Sequence, residues 1–174
     1  MTWNDTFLAL FDRCSEQYRQ GNTNFMSYYS EADLEFLATI GYKPRELFDF
    51  IEDLGDAGEP TRSTALLVAA VRRDYLYVMQ GGQHSSHEIS RSDLPTFGDQ
   101  LGGFGYLPRI IVKARAKLKG ELDPDMMYGC GGDRNFLRNH GNIHLADFLR
   151  NVWASGDNDQ EILAYVQRQM QAQG

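Results

Sequence analysis

A chain of 174 residues, 42% hydrophobic and 24% charged, is long enough for one compact domain or for two small ones sharing a core. Its net charge of −7 opposes non-specific attraction to nucleic acid or an anionic membrane. The longest unbroken apolar run, Ala65 to Val71, is far below the roughly 20 residues of a membrane span. The N-terminus reaches Asp5 with no basic stretch before it, unlike a signal peptide, and the distant Cys14 and Cys130 make no disulfide framework. A soluble, reduced, cytoplasmic protein is expected.

Residues 3–20 carry Phe7, Leu10, Phe11, Cys14 and Tyr18 at helical spacing, and Gly21 ends that pattern. Ser30 and Asp33, a hydroxyl and an acid three residues apart, form a capping box that starts a short helix through Leu37 and Ile40. Gly41 suits the left-handed position beyond its end. Pro44 opens the next helix, with Leu47, Phe50, Ile51 and Leu54 on one face and Glu46, Asp49, Glu52 and Asp53 on the other. A fourth helix is predicted over 61–80, with Leu67, Val71, Tyr75 and Val78 as its apolar stripe. Residues 81–105 hold six of the 17 glycines and no helical period, and read as a long connection that is either mobile or functional. Residues 107–120 then form an amphipathic helix with five Lys/Arg and no acid.

The second half echoes the first. Asp133, Phe136, Leu137 and Gly141 repeat Asp33, Phe36, Leu37 and Gly41 at an offset of 100, and Tyr128 repeats Tyr28. Leu145, Phe148, Leu149 and Val152 repeat Leu47, Phe50, Ile51 and Leu54, then Ile162, Leu163 and Val166 repeat Leu66, Leu67 and Ala70. Length changes fall in loops, where they are tolerated. The expectation is an all-α fold of two tandem related four-helix units packed as one pseudo-twofold helical domain, with repeats over 1–80 and 107–174 and a Gly-rich connection over 81–106. Residues 7–80 hold 12 acids and 7 bases against 8 and 9 over 107–174, so the acidic third helix is a candidate docking partner for the basic one.

The basic helix is the first candidate site. Leu107, Ile110, Ile111, Ala114 and Leu118 share one face; Arg109, Lys113, Arg115, Lys117 and Lys119 cover the rest. These cations form either a solvated face or a site for an anion or acidic partner; without interleaved aromatics, nucleic acid is disfavoured. Cys130, Asp133, His140 and His144 are all potential metal ligands, but one thiol and no paired Cys-x-x-Cys argue against zinc, and His84 and His87 in the Gly-rich connection are weaker candidates still. Asp133 reads instead as a helix N-cap. Flanked by Gly129, Gly131 and Gly132, Cys130 could expose a thiol beside backbone N–H groups facing an oxyanion, although no spacing identifies a histidine partner. The run Gly102 to Gly105 completes no phosphate-loop fingerprint, and Tyr28, Tyr29, Tyr75, Tyr77 and Tyr106 read as core or interface.

Over residues 101–166 the string Leu-Gly-Gly-x-x-Tyr-Leu-Pro-Arg-Ile-Ile-x-Lys-Ala-Arg, then Tyr128-x-Cys130-x-x-Asp133, Asp147-Phe148-Leu149 and Asp159-x-Glu161-Ile162-Leu163 resembles a bacterial family of uncharacterised proteins, a domain of unknown function. The chain departs from that pattern at Val112, where the resemblance implies an acid, and at Gly131 and Gly132, where it implies a more apolar pair. The motif residues are Pro108, Arg109, Lys113, Arg115, Tyr128, Cys130 and Asp133. The expected role is a binding or interaction module for an anionic ligand or acidic protein partner, using Arg109, Lys113, Arg115, Tyr128 and Cys130, with no cofactor and no metal. The alternative is a small enzyme using the Cys130, Asp133 and His140 region, and oligomerisation is left open. An enzyme should show a partly apolar pocket with a convergent acid, base or thiol; a binding module, an open basic surface or an exposed apolar patch.

Overall fold

The computed structural model describes residues Met1–Gly174 as eight α-helices and one two-stranded hairpin, divided into compact units Met1–His84 and Ser85–Gly174. No helix is long and apolar enough to cross a membrane.

In the first unit α1 (Trp3–Arg19) starts with a Thr2/Asp5 capping box and packs on α3 (Pro44–Ala57) and α4 (Arg62–Val78) through Phe7, Leu10, Phe11 and Cys14. Gly55 lets α1 approach α3: a Cβ there would lie 2.5 Å from the Tyr18 ring. Ser30 caps α2 (Glu31–Thr39), its hydroxyl accepting from the Asp33 N–H, while the Asp33 carboxylate accepts from the Ser30 N–H. Arg13 of α1 reaches across to the same carboxylate, 2.6 Å away. The α4 stripe read from the sequence is partly displaced: Val71 is buried, but Leu67 and Val78 are exposed, and the buried face is Ala65, Val68, Ala69, Val71, Arg72 and Leu76. Two alanines make that face narrow enough for Arg72 to lie wholly inside the unit, donating to the Gly41 carbonyl and the Gln80 side chain. A hydrophobicity pattern scores such an arginine as surface.

In the second unit, the glycine-rich stretch from Ser85 onward is tied down. Ile89 bridges Leu122, the Ser85 hydroxyl donates to Glu121, and Gln100–Leu101 (β1) pairs antiparallel with Phe104–Gly105 (β2). Gly102 and Gly103 form the two-residue turn, both at positive φ as a type I′ hairpin requires. Next come α5 (Leu107–Lys119), α6 (Gly131–Asn139), α7 (Leu145–Ser155) and α8 (Asp159–Gln173). Helix α7 lies against α5 and α8, and the core is Leu107, Ile110, Ile111, Ala114, Phe148, Leu149, Val152, Ile162 and Val166. Each of the Leu, Ile, Val and Phe side chains among them contributes about 1.5–3 kcal/mol when fully buried.

Helices α2 and α6 each span nine residues and are followed by a glycine at positive φ, Gly41 and Gly141. A tyrosine hydroxyl donates to the carbonyl of the first residue of the next helix in both units, Tyr29 to Pro44 and Tyr128 to Leu145. Asp133 is not the N-cap of α6. Cys130 holds that position and Asp133 is the third helical residue, the place Asp33 has in α2.

Candidate functional site

Helix α5 carries Pro108, with its fixed φ, in the first turn and is terminated by Gly120 in the left-handed conformation. Its basic residues do not make the solvated face that their sequence suggests. Lys113 and Lys117 are buried, and Arg115 donates to the Gly156 carbonyl and to Asp159, tying the end of α7 to the start of α8. Arg109 donates to the Pro95 carbonyl, 2.8 Å away, with its guanidinium 4.3 Å from the Phe97 ring centroid.

Lys113 is the centre of the arrangement. Its ammonium donates to both carboxylate oxygens of Asp133, at 2.8 and 2.7 Å, and to the Cys130 sulfur at 3.3 Å. The Asp133 side chain is 0% exposed and that of Lys113 6%. An ion pair this deep persists only when its remaining polar groups are satisfied. The Gly129 N–H donates to Oδ2 and the Tyr106 hydroxyl to Oδ1, at 2.8 and 2.7 Å. Burial, and then the adjacent Asp133 carboxylate, push the Tyr106 phenol far above its ordinary pKa, so it remains a donor. Tyr106 adopts φ +72°, a left-handed conformation uncommon for a residue with a side chain. Gly132 lies against it: a Cβ there would come 2.9 Å from the Tyr106 oxygen and 3.8 Å from Cys130 Sγ.

A cavity of about 250 Å³ opens beside this cluster, lined by Tyr106, Arg109, Lys113 and Cys130, by the apolar Leu94, Phe97, Met126 and Met127, and by Arg91 and Asp125 at its polar edge. Phe97 is 69% exposed and stacks on Tyr106 with the rings 5.9 Å apart and 17° from parallel. With Lys113 neutralised by Asp133, the remaining charges are Arg91 and Arg109 against Asp125, a surplus of one positive charge.

Of the residues singled out from the sequence, the cavity brings together Arg109, Lys113 and Cys130. Arg115 points to the α7–α8 junction, and Tyr128 is inside the unit with its hydroxyl on the Leu145 carbonyl. His140 ends α6 at the opposite end from Cys130, stacked on Phe136 with centroids 4.2 Å apart, and His144 accepts from the Ala146 N–H as the N-cap of α7. No group of three or more His, Cys, Asp or Glu is placed to hold a metal ion. Tyr106, Phe97, Arg91, Met126 and Met127 were not legible as site residues. Lys113 and Lys117 carried a signal, since they fall three and seven residues after buried Ile110 and share its side of the helix.

Residues 90–174 match the model of a family described as a domain of unknown function (DUF5069), a span that contains every residue lining this cavity. No curated protein and no solved structure matches the chain.

Proposed function

We propose that the second unit binds a small anionic molecule in the cavity between the 91–106 segment, the N-terminal half of α5 and the start of α6. The observation that carries this reading is the surplus positive charge of a concave, partly apolar pocket whose one buried carboxylate is already committed to Lys113, Tyr106 and Gly129. Arg109 is the anchor for the anion, because its guanidinium lines the pocket and is held by only one hydrogen bond and the Phe97 ring. A small molecule is favoured over an acidic protein surface because Lys113 and Lys117 are buried and Arg115 is on Asp159, which leaves Lys119 as the one exposed cation among the others of α5 and no broad basic face. The volume is below the roughly 300–1,000 Å³ of drug-sized sites, which points to a compact ligand.

We also infer that the chain is an internal duplication whose later copy carries the pocket. In both units a cation of the first helix, Arg13 or Lys113, reaches the third residue of the second helix, Asp33 or Asp133. In the first, Ser30 caps that helix and the pair lies near the surface. In the second, cysteine replaces the capping serine, the carboxylate turns inward, and the space beside it is open.

Calorimetry and thermal unfolding with short-chain carboxylates and inorganic phosphate test the binding reading, on wild type and Arg109→Gln. A bound anion at about one hundred times its Kd stabilises the folded state by about 2.7 kcal/mol. Wild type should gain stability selectively and Arg109→Gln should not. Equal responses from the two proteins, or none from either, would reject the pocket as an anion site.

A further inference from the structure

Resting on the pocket reading, we infer that Cys130 is the pocket's nucleophile and adds reversibly to the carbonyl carbon of a small oxo acid whose carboxylate is held by Arg109. The sulfur lines the cavity and sits at the N-cap of α6. No side chain caps this helix, in contrast to α2, where the Ser30 hydroxyl takes the Asp33 N–H. The Asp133 carboxylate is likewise turned away, towards Lys113, Tyr106 and the Gly129 N–H. The sulfur is thus carried by the N-cap residue at the positive end of a nine-residue helix whose first turn has no side-chain cap. Lys113 supplies a donor, because two of its N–H groups are on Asp133 and the third faces Sγ at 3.3 Å. The nucleophile, the Lys113 donor and the Arg109 anchor thus face one cavity, the arrangement that thiol addition to a carbonyl needs.

The step requires no other reactant. The sulfur forms a bond to the carbonyl carbon, the C=O π pair moves to oxygen, and the thiol proton ends on that oxygen, giving a hemithioacetal. Nothing is oxidised or reduced and nothing leaves. As the sulfur lone pair enters the new bond, the Lys113 N–H that faced it is free to donate to the developing oxyanion. The second unit holds no other cysteine, so the chemistry assigned to Cys130 is addition rather than disulfide exchange within the unit.

The test is timed iodoacetamide alkylation of the folded full-length chain near neutral pH, read by peptide mass spectrometry, with glyoxylate as the oxo-acid probe and glycolate as its partner lacking the carbonyl. Cys14 is the internal control: it is 0% exposed and burial pushes its thiol up to about 11, so it should stay unlabelled. Cys130 should alkylate, glyoxylate should slow that reaction several-fold more than glycolate does, and Arg109→Gln should weaken the protection. Equal protection by glyoxylate and glycolate would show occlusion without a bond, overturning the nucleophile and leaving the pocket reading intact. Protection by glyoxylate that survives Arg109→Gln would support the nucleophile and remove the anion anchor. Ready alkylation with no protection by either acid would overturn both readings, and labelling of Cys130 no faster than Cys14 would overturn the nucleophile.

Discussion

Replacing Lys113 by methionine should be among the most damaging single changes in the second unit. The substitution keeps the length and apolar stem of the side chain but strips Asp133, wholly buried, of its counter-charge. Breaking a buried pair by removing one partner costs about 3–5 kcal/mol. The Gly129 N–H and Tyr106 hydroxyl remain on the carboxylate, which places the expected loss at the lower end of that range. Adding Asp133→Asn removes the stranded charge and should return about 2 kcal/mol, so the double variant should be more stable than Lys113→Met alone. The equivalent pair of the first unit offers a control, because the Arg13 and Asp33 side chains are 50% and 17% exposed. There, Arg13→Met should cost at most about 1 kcal/mol. One tryptophan lies in each unit, Trp3 in α1 and Trp153 in α7. Urea unfolding followed by fluorescence in Trp3→Phe and Trp153→Phe backgrounds therefore follows each unit through its own tryptophan. A Lys113→Met loss no larger than that of Arg13→Met, or a double variant weaker than the single, would refute the reasoning.

Other consequences are checked with the same backgrounds. Tyr128→Phe leaves the buried Leu145 carbonyl without its hydroxyl donor and should lower the Trp153-reported stability by about 1–3 kcal/mol, with no change in the Trp3 signal. Gly132→Ala places a methyl group 2.9 Å from a tyrosine oxygen pinned by Asp133, and should destabilise the second unit by about 1–3 kcal/mol; introducing Tyr106→Phe alongside it should recover part of that loss. For Asp33, burial raises the pKa, but the Ser30 hydroxyl and N–H together with Arg13 outweigh it, and the net shift is downward. Its contribution to stability is thus present above the ordinary carboxylate value of about 3.9 and is lost as pH falls through the lower folded-state value. Acid titration of the Trp3-reported midpoint should be shallower in Asp33→Asn; identical slopes would contradict this sign.

Local rules made the helices readable. The Ser30/Asp33 box, Pro44 at the head of α3 and Gly41 beyond α2 each act over a few residues, and each lies where its chemistry puts it. The hairpin was missed although Gly102 and Gly103 marked its turn, because two-residue strands are too short to show alternation. The site was only half legible for a different reason. Cys130 and its glycines announced an unusual helix start, whereas the partnership of residues 106, 113 and 133 spans separations that no periodicity encodes. Charge also misled: Lys113 and Arg72 read as surface by their charge alone, yet both are internal because a carboxylate in one case and a carbonyl with an amide in the other replace the water they lose.

Tyr106 accepts a backbone conformation that glycine would occupy at lower free energy, and it does so between a hairpin and a helix with proline in its first turn. Its ring and hydroxyl carry the connection from that hairpin to Asp133. The backbone alone would favour glycine at this position, but glycine would leave the buried Asp133 carboxylate short of its hydroxyl donor. An aromatic hydroxyl at this junction in a relative is therefore a one-residue indicator that the buried lysine–aspartate pair is kept.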